Sequence, residues 1–199
     1  FLAALAQGKT LLRNIPDADD VQILKKTLPL LGVGVQTVKL EKGRERLEIT
    51  GCGGPFPVQS ANLYLENAGT AIRPMLPILS AGSGNFTIDG NEQMRKRPIR
   101  DLVESLQSLG VDVVCETGCP PLQLRAKGLA GGRVSISGKT SSQFLTALLL
   151  AAPLADSDME IISRDDPVSK PYIDMTIRMM GDFGVEVKRD GYRSFFVRR

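Results

Sequence analysis

The sequence predicts a mixed α/β fold of the α+β kind, in which one βαβαββ-like unit is repeated three times within a single domain. Three observations predict it. Helices ending in Leu-Gly-Val or Phe-Gly-Val close at Gly32, Gly110 and Gly184, at nearly equal spacing, and each leads into a strand-like run. A small-residue apolar helix and a short strand precede these helices in the same order, as in Gln143–Ala152 followed by Met159–Ile162. No linker divides the copies, so the 199 residues read as one domain with units of about 1–58, 59–136 and 137–199. Units this long are supersecondary modules, not the short stacked turns of a solenoid.

Taken in order, Phe1–Ala6 reads as mid-helix, with neither a cap nor an initiator Met, so further residues are expected before Phe1. The end at Arg199, just after the strand-like Phe195-Phe196-Val197, is equally abrupt, and a piece of a longer protein is expected. Gly8-Lys9-Thr10 reads as a turn and Thr10–Arg13 as a strand. Asp17, Asp19 and Asp20 favour a helix start through capping and the macrodipole, and Val21, Leu24, Leu28 and Leu31 give that helix one apolar face. Val33–Val38 and Leu47–Ile49 read as strands.

In the second unit, Ala71–Leu79 reads as a helix, with Pro77 implying a kink, and Asn85–Ile88 as a strand. A polar loop, Asp89–Arg97, leads to a helix at Ile99–Leu109, with strands at Val111–Val114, Leu122–Leu124 and Arg133–Ile136. In the third, Pro171 sits near the first turn of the helix Tyr172–Phe183, where proline is tolerated.

Composition excludes several classes. The balance of 25 basic and 22 acidic residues, net +3, and the lack of aromatic clustering argue against a nucleic-acid surface. No apolar run approaches the ~18 residues of a membrane span. With no histidine, and with Cys52, Cys115 and Cys119 off metal-ligand spacing, a zinc site and a Ser-His or Cys-His pair are excluded by inventory. The three cysteines read as reduced thiols.

Four segments carry chemistry. Asn67-Ala68-Gly69-Thr70-Ala71-Ile72-Arg73 opens a helix with a glycine that admits a ligand close to the main chain, a hydroxyl at Thr70 and a cation one turn on at Arg73. An ordinary cap beside a solvated arginine stands as the alternative. Met94-Arg95-Lys96-Arg97 places three cations before a helix. They form either a solvated face or a clamp in which Arg97 grips a carboxylate or phosphate.

Ser137-Gly138-Lys139-Thr140-Ser141-Ser142-Gln143 ends like a P-loop, but Arg133 stands where its first glycine is required, which weakens a nucleotide-hydrolysis reading. Ser141, Ser142 and Gln143 still supply donors for a phosphate or a sugar-like hydroxyl, or else a plain cap. In Ser169-Lys170-Pro171-Tyr172, Ser169 either bonds a ligand oxygen or, on the favoured reading, caps the helix, while Tyr172 can pack in the core.

The runs Leu65–Pro74, Met94–Asp101, Ser137–Leu154 and Ser169–Met180, in this order and spacing, resemble the N-terminal domain of the 5-enolpyruvylshikimate-3-phosphate synthases over essentially the whole chain. That resemblance implies one domain of a two-domain enolpyruvyl transferase fold. It also implies transfer of the enolpyruvyl group of phosphoenolpyruvate to the 5-hydroxyl of shikimate 3-phosphate, without metal or organic cofactor. By the same likeness Gly69, Arg97 and Gln143 would contact phosphoenolpyruvate, and Ser141, Ser142, Gln143 and Ser169 would hold shikimate 3-phosphate. Asn67, Thr70, Arg73 and Tyr172 would support them.

The family's lysine-bearing Gly-Ser-Lys-Ser loop would precede Phe1, and its proton-transferring carboxylates belong to the other domain. The resemblance therefore implies no catalytic residue in this chain, and a chain inactive alone. It further implies a monomer whose partners are the two substrates and the missing domain, with no nucleic acid and no membrane. The expected compartment is the cytoplasm, with the plastid as the alternative.

Three departures stand out: Glu66 and Arg100 where the family usually has glycine, and Lys139-Thr140 in place of smaller or uncharged residues. The sister enzymes acting on UDP-N-acetylglucosamine carry a cysteine in the loop before Arg-Pro. Here that loop is Gly90-Asn91-Glu92-Gln93-Met94. A non-catalytic relative that binds phosphorylated metabolites is the remaining alternative.

Overall fold

The computed structural model describes residues 1–39 and 45–199. The first part of the chain forms α1 (Leu2–Leu5), β1 (Gln7–Arg13), α2 (Asp19–Leu30), β2 (Gly34–Lys39) and β3 (Glu45–Cys52). The second forms β4 (Ser60–Tyr64), α3 (Gly69–Ser80), β5 (Ser83–Asp89), α4 (Arg100–Ser108), β6 (Asp112–Val114) and β7 (Leu122–Lys127). The third forms β8 (Gly132–Ile136), α5 (Ser142–Ala151), β9 (Met159–Ser163), α6 (Lys170–Asp182), β10 (Val187–Asp190) and β11 (Ser194–Val197).

Three sheets result, in the orders β1-β3-β2, β4-β5-β7-β6 and β8-β9-β11-β10. In the two four-stranded sheets the outer pair (β4 with β5, β8 with β9) is parallel and every other pairing antiparallel. Both pairings of the three-stranded sheet are antiparallel.

The three closing glycines end their helices in one and the same way. Gly32, Gly110 and Gly184 have φ of 86°, 83° and 85°. In each case the valine amide after the glycine returns to the carbonyl five residues back: Val33 to Leu28 at 3.2 Å, Val111 to Leu106 at 3.1 Å, Val185 to Met180 at 2.9 Å. The glycine amides bond the carbonyls of Pro29, Gln107 and Gly181. This double bond pattern satisfies carbonyls that a helix end otherwise leaves open, and it needs a left-handed residue that only glycine adopts without strain.

The core is built around α3 and α5. Apart from Thr70 every residue of α3 is buried, and α5 is buried from Phe144 onward except at Thr146. Helices apolar on all sides belong inside. α3 packs on α5, and α5 on α6. α4 lays Leu102, Val103 and Leu106 inward, as its spacing predicts. No helix among the described residues is long and apolar enough to cross a membrane.

Several expectations are corrected. Gly8-Lys9-Thr10 is no turn but part of β1, because its backbone pairs with Ile49–Gly51 of β3. Of the expected apolar face of α2, Leu28 and the flanking Leu31 are buried and Leu24 packs half-buried against the core, while Ile23 and Thr27 join the buried side and Val21 stays at its edge. Pro74 and Pro77 both lie inside α3, which continues past them as one buried helix to Ser80. β8 belongs with β9 in the third sheet, so a unit boundary at 136 cuts it from its partner. β4 (Ser-Ala-Asn-Leu-Tyr) and β10 (Val-Lys-Arg-Asp) are strands that the sequence reading leaves out: β4 alternates over only two apolar residues, Ala61 and Leu63, and β10 carries no alternation.

Alanine at Gly110 or Gly184 meets open space, whereas at Gly32 its Cβ falls 2.7 Å from Pro57 Cγ. Gly110→Ala and Gly184→Ala are therefore expected to lose about 1–2 kcal/mol in urea unfolding from the left-handed backbone alone. Gly32→Ala is expected to lose more than either.

Candidate functional site

A cleft of about 510 Å³ opens where the N-terminal ends of α3, α5 and α6 come together. Thr70 from α3, Ser141, Ser142 and Gln143 from α5, and Ser169 and Tyr172 from α6 all line it. Residues some hundred positions apart in sequence thus share one wall, because the α3–α5–α6 packing places three helix starts side by side.

The serines play different structural parts. Ser141 caps α5, its Oγ accepting from the Gln143 amide at 3.2 Å, as capping chemistry predicts. Ser142 is buried. Ser169 does not cap α6, contrary to the favoured reading. It sits at the helix start with φ 54° and ψ 41°, and its side chain makes no cap bond. A non-glycine residue held in this left-handed region is strained, and such residues concentrate at functional positions. Tyr172 is not a core residue either: it is 62% exposed, on the open side of the cleft.

Beside the cleft, a short 3₁₀ turn at Met94–Lys96 and the residue that ends it sort three cations. Arg95 binds Asp89 in a bidentate pair, and its hydrogen bonds hold the Asp89 carboxyl below its usual range. Lys96 faces solvent. Arg97 turns inward over the start of α3, its Nη1 donating to the Asn67 carbonyl at 3.1 Å and to Asn67 Oδ1 at 3.4 Å. A Cβ built on Gly69 would lie 2.7 Å from Arg97 Nη2. Glycine here is therefore a matter of close approach, as expected, but the group approaching is the arginine itself. Asn67 in turn donates through Nδ2 to Gln93 at 3.0 Å.

Arg73 is no solvated arginine. It is 6% exposed and lies behind the cleft wall. Its Nη1 donates to Gln143 Oε1, its Nη2 reaches the Pro98 carbonyl at 3.5 Å, and its guanidinium stands 5.5 Å from the centre of the Phe144 ring. Each of these partners is neutral. Burial first, and the charge of Arg97 second, lower its pKa to about 10, so the cation persists at neutral pH.

Three aspartates tie the site together, and no sequence spacing announces them. Thr70 donates its hydroxyl to Asp20, which the sequence marks only as a helix-starting acid. Thr140 donates to Asp101 at 2.7 Å. Asp165 takes the Ser137 hydroxyl at 2.7 Å and pairs with Lys139 at 3.2 Å. Those two contacts, Ser137 first, lower its pKa. The Lys139-Thr140 departure thus supplies two tethers for the serine loop. The Arg100 guanidinium lies over Gly118, where a Cβ would meet its Nε at 2.7 Å. Glu66 occupies φ 48°, a backbone conformation suited to the glycine usual there.

Set against known proteins, residues 1–198 match the sequence model of the family described as EPSP synthase (3-phosphoshikimate 1-carboxyvinyltransferase). The 3-phosphoshikimate 1-carboxyvinyltransferase of Marinomonas sp. (strain MWYL1) is 46% identical over 200 residues, which cover 100% of this chain and 46% of that protein. The chloroplastic 3-phosphoshikimate 1-carboxyvinyltransferase of Arabidopsis thaliana is 44% identical over 209 residues, covering 100% of this chain and 40% of the plant protein. The solved EPSP synthase from Acinetobacter baumannii aligns with a TM-score of 0.81 over 98% of this chain and 43% of its own. At 24% identity that likeness bears on the fold alone. The chain spans less than half the length of the curated relatives it matches.

Glu66→Gly relieves the left-handed strain, offset in part by the greater freedom of glycine in the unfolded chain. Urea unfolding is expected to show a gain of about 0.5–1 kcal/mol. An unchanged or lowered midpoint would mean that the exposed carboxylate is held by its surroundings.

Proposed function

Because the chain belongs to the EPSP synthase (3-phosphoshikimate 1-carboxyvinyltransferase) family, we propose that it supplies one substrate-binding lobe for enolpyruvyl transfer from phosphoenolpyruvate to the 5-hydroxyl of shikimate 3-phosphate. In this reading Ser141, Ser142, Gln143 and Ser169 hold shikimate 3-phosphate in the cleft, with Tyr172 and Thr70 at its edge. Phosphoenolpyruvate lies toward Gly69 and Arg97, and Gln143 touches both substrates. Asn67 steadies Arg97.

The observation that carries the reading is the junction at Arg73. One guanidinium bonds Gln143 on the serine side and the Pro98 carbonyl next to Arg97, so the two half-sites are parts of one wall. The chemistry suits two polyanions. Arg97 directs its hydrogen bonds to neutral oxygens of Asn67, which leaves its charge for a carboxylate or phosphate. Helix amides and hydroxyls that are already in place do not need to reorganise as charge develops in a tetrahedral intermediate.

Among the described residues the cleft is lined by hydroxyl, amide and apolar side chains, and the nearby carboxylates of Asp20 and Asp101 are taken up by Thr70 and Thr140. In this reading proton transfer, and so turnover, falls to the part of the relatives' length that this chain does not span. The working unit is a monomer that closes two lobes over its substrates. The cytoplasm is the proposed compartment, with the plastid as the alternative that the chloroplastic Arabidopsis relative suggests.

Calorimetry on this chain is expected to give saturable binding of shikimate 3-phosphate, none of UDP-N-acetylglucosamine or RNA, and no turnover. Ser169→Ala should weaken that binding by about tenfold, the loss of one hydrogen bond to a charged ligand. Binding of the UDP-sugar in preference to shikimate 3-phosphate would overturn the proposal.

Gly69→Ala drives a methyl group into the Arg97 guanidinium. In a complete two-lobed enzyme, glyphosate, the family's longer inhibitor at the phosphoenolpyruvate position, should lose more affinity than phosphoenolpyruvate. Equal losses would count against placing Gly69 at that position.

A further inference from the structure

We propose that Arg73 is a positioning residue whose buried guanidinium fixes the rotation of the Gln143 side-chain amide, so that the NH₂ end and not the carbonyl end is presented to the cleft. The two ends of a glutamine amide are nearly the same shape and opposite in function: one donates two hydrogens and the other only accepts. In a cleft for anions the rotation decides the sign of the interaction. A carbonyl oxygen turned toward a phosphate repels it, while the amide NH₂ binds it.

Arg73 can settle that choice because a guanidinium has five N–H donors and no acceptor. The Gln143 atom it meets is therefore the oxygen, Oε1, which leaves Nε2 for the opposite side. The guanidinium has little freedom to follow if the amide turns. It is 6% exposed, its Nη2 reaches the Pro98 carbonyl at 3.5 Å and it stands over the Phe144 ring. Gln143 lines the cleft and Arg73 does not, so the direct path from Arg73 to a ligand there runs through Gln143. Burying a cation among neutral partners costs stability. What it provides in exchange is a glutamine held in one rotation, which a methionine of similar length would not give.

The inference rests on the substrate reading above for its ligand but not for its geometry, so the test has two arms. The first needs no ligand. In ¹⁵N-labelled protein the Gln143 side-chain amide, assigned by its loss in Gln143→Ala, is expected as one dispersed pair of signals. Arg73→Met should move that pair toward the position of free glutamine, and Arg73→Lys, still a pure donor, should restore much of the dispersion. A Gln143 amide unchanged in Arg73→Met overturns the inference. If the methionine variant does not fold, Arg73→Lys with Gln143→Glu decides the matter. Pairing of the introduced carboxylate with the lysine should raise the melting temperature above that of Arg73→Lys alone, while the cleft loses its donor and its anion affinity. A lowered melting temperature overturns the inference.

The second arm is a double-mutant cycle read by shikimate 3-phosphate affinity. Arg73→Met should weaken binding by about tenfold. If the arginine acts on the ligand through the glutamine, the double variant with Gln143→Ala should bind no more weakly than Gln143→Ala alone. Additive losses would make Arg73 a structural tie between α3 and α5 and would overturn the inference. Should the unaltered chain bind no shikimate 3-phosphate, the substrate reading falls and the amide signals alone decide this one.

Discussion

One buried cation organises this molecule. Arg73 projects from the most enclosed helix of the fold into a space where its partners are an amide oxygen, a peptide carbonyl and an aromatic face. A guanidinium in such surroundings is costly and is retained where its fixed fork of donors holds several elements at once. Here it joins α3, the start of α5 and the segment that carries Arg97. The apolar packing of α3 against α5 brings those elements near one another, and the arginine sets their polar groups in register.

The electrostatics follow from the same arrangement. A net charge of +3 says little about where an anion goes. Locally, Arg97 lies close enough to Arg73 to depress its pKa, and both meet neutral oxygens, while the neighbouring Arg95 and Lys139 are matched by Asp89 and Asp165. The unmatched positive charge therefore gathers beside the starts of α3 and α5, where helix dipoles point the same way. The strained backbone at Ser169 belongs with this picture, since it sets a hydroxyl without a cap bond at the lip of the cleft.

Much of the fold was legible where the deciding physics is local. The three Gly-Val endings mark helix stops because a left-handed residue is needed there, and that need is met or refused by one side chain. The apolar stretches 71–79 and 143–152 mark inner helices because few other environments accept them. Legibility failed at β4, whose alternation rests on Ala61 and Leu63 alone, at β10, whose polar residues are a strand only because a partner strand lies alongside, and at Gly8-Lys9-Thr10, drawn into β1 by pairing with β3. It failed again for the unit boundary, since β8 shows its allegiance only through β9.

By itself, then, the sequence determined which residues form helices, where those helices stop, and which hydroxyls, amides and cations stand at their starts. These are properties of neighbours along the chain, set by backbone sterics and hydrophobic periodicity. Only the tertiary structure decided what each polar group does: Arg73 behind the wall instead of in water, Arg97 over Gly69, Ser169 left-handed and uncapped, and Asp20, Asp101 and Asp165 as tethers. The physical reason is that desolvation and hydrogen-bond pairing depend on groups distant in sequence, which meet only once the core has closed.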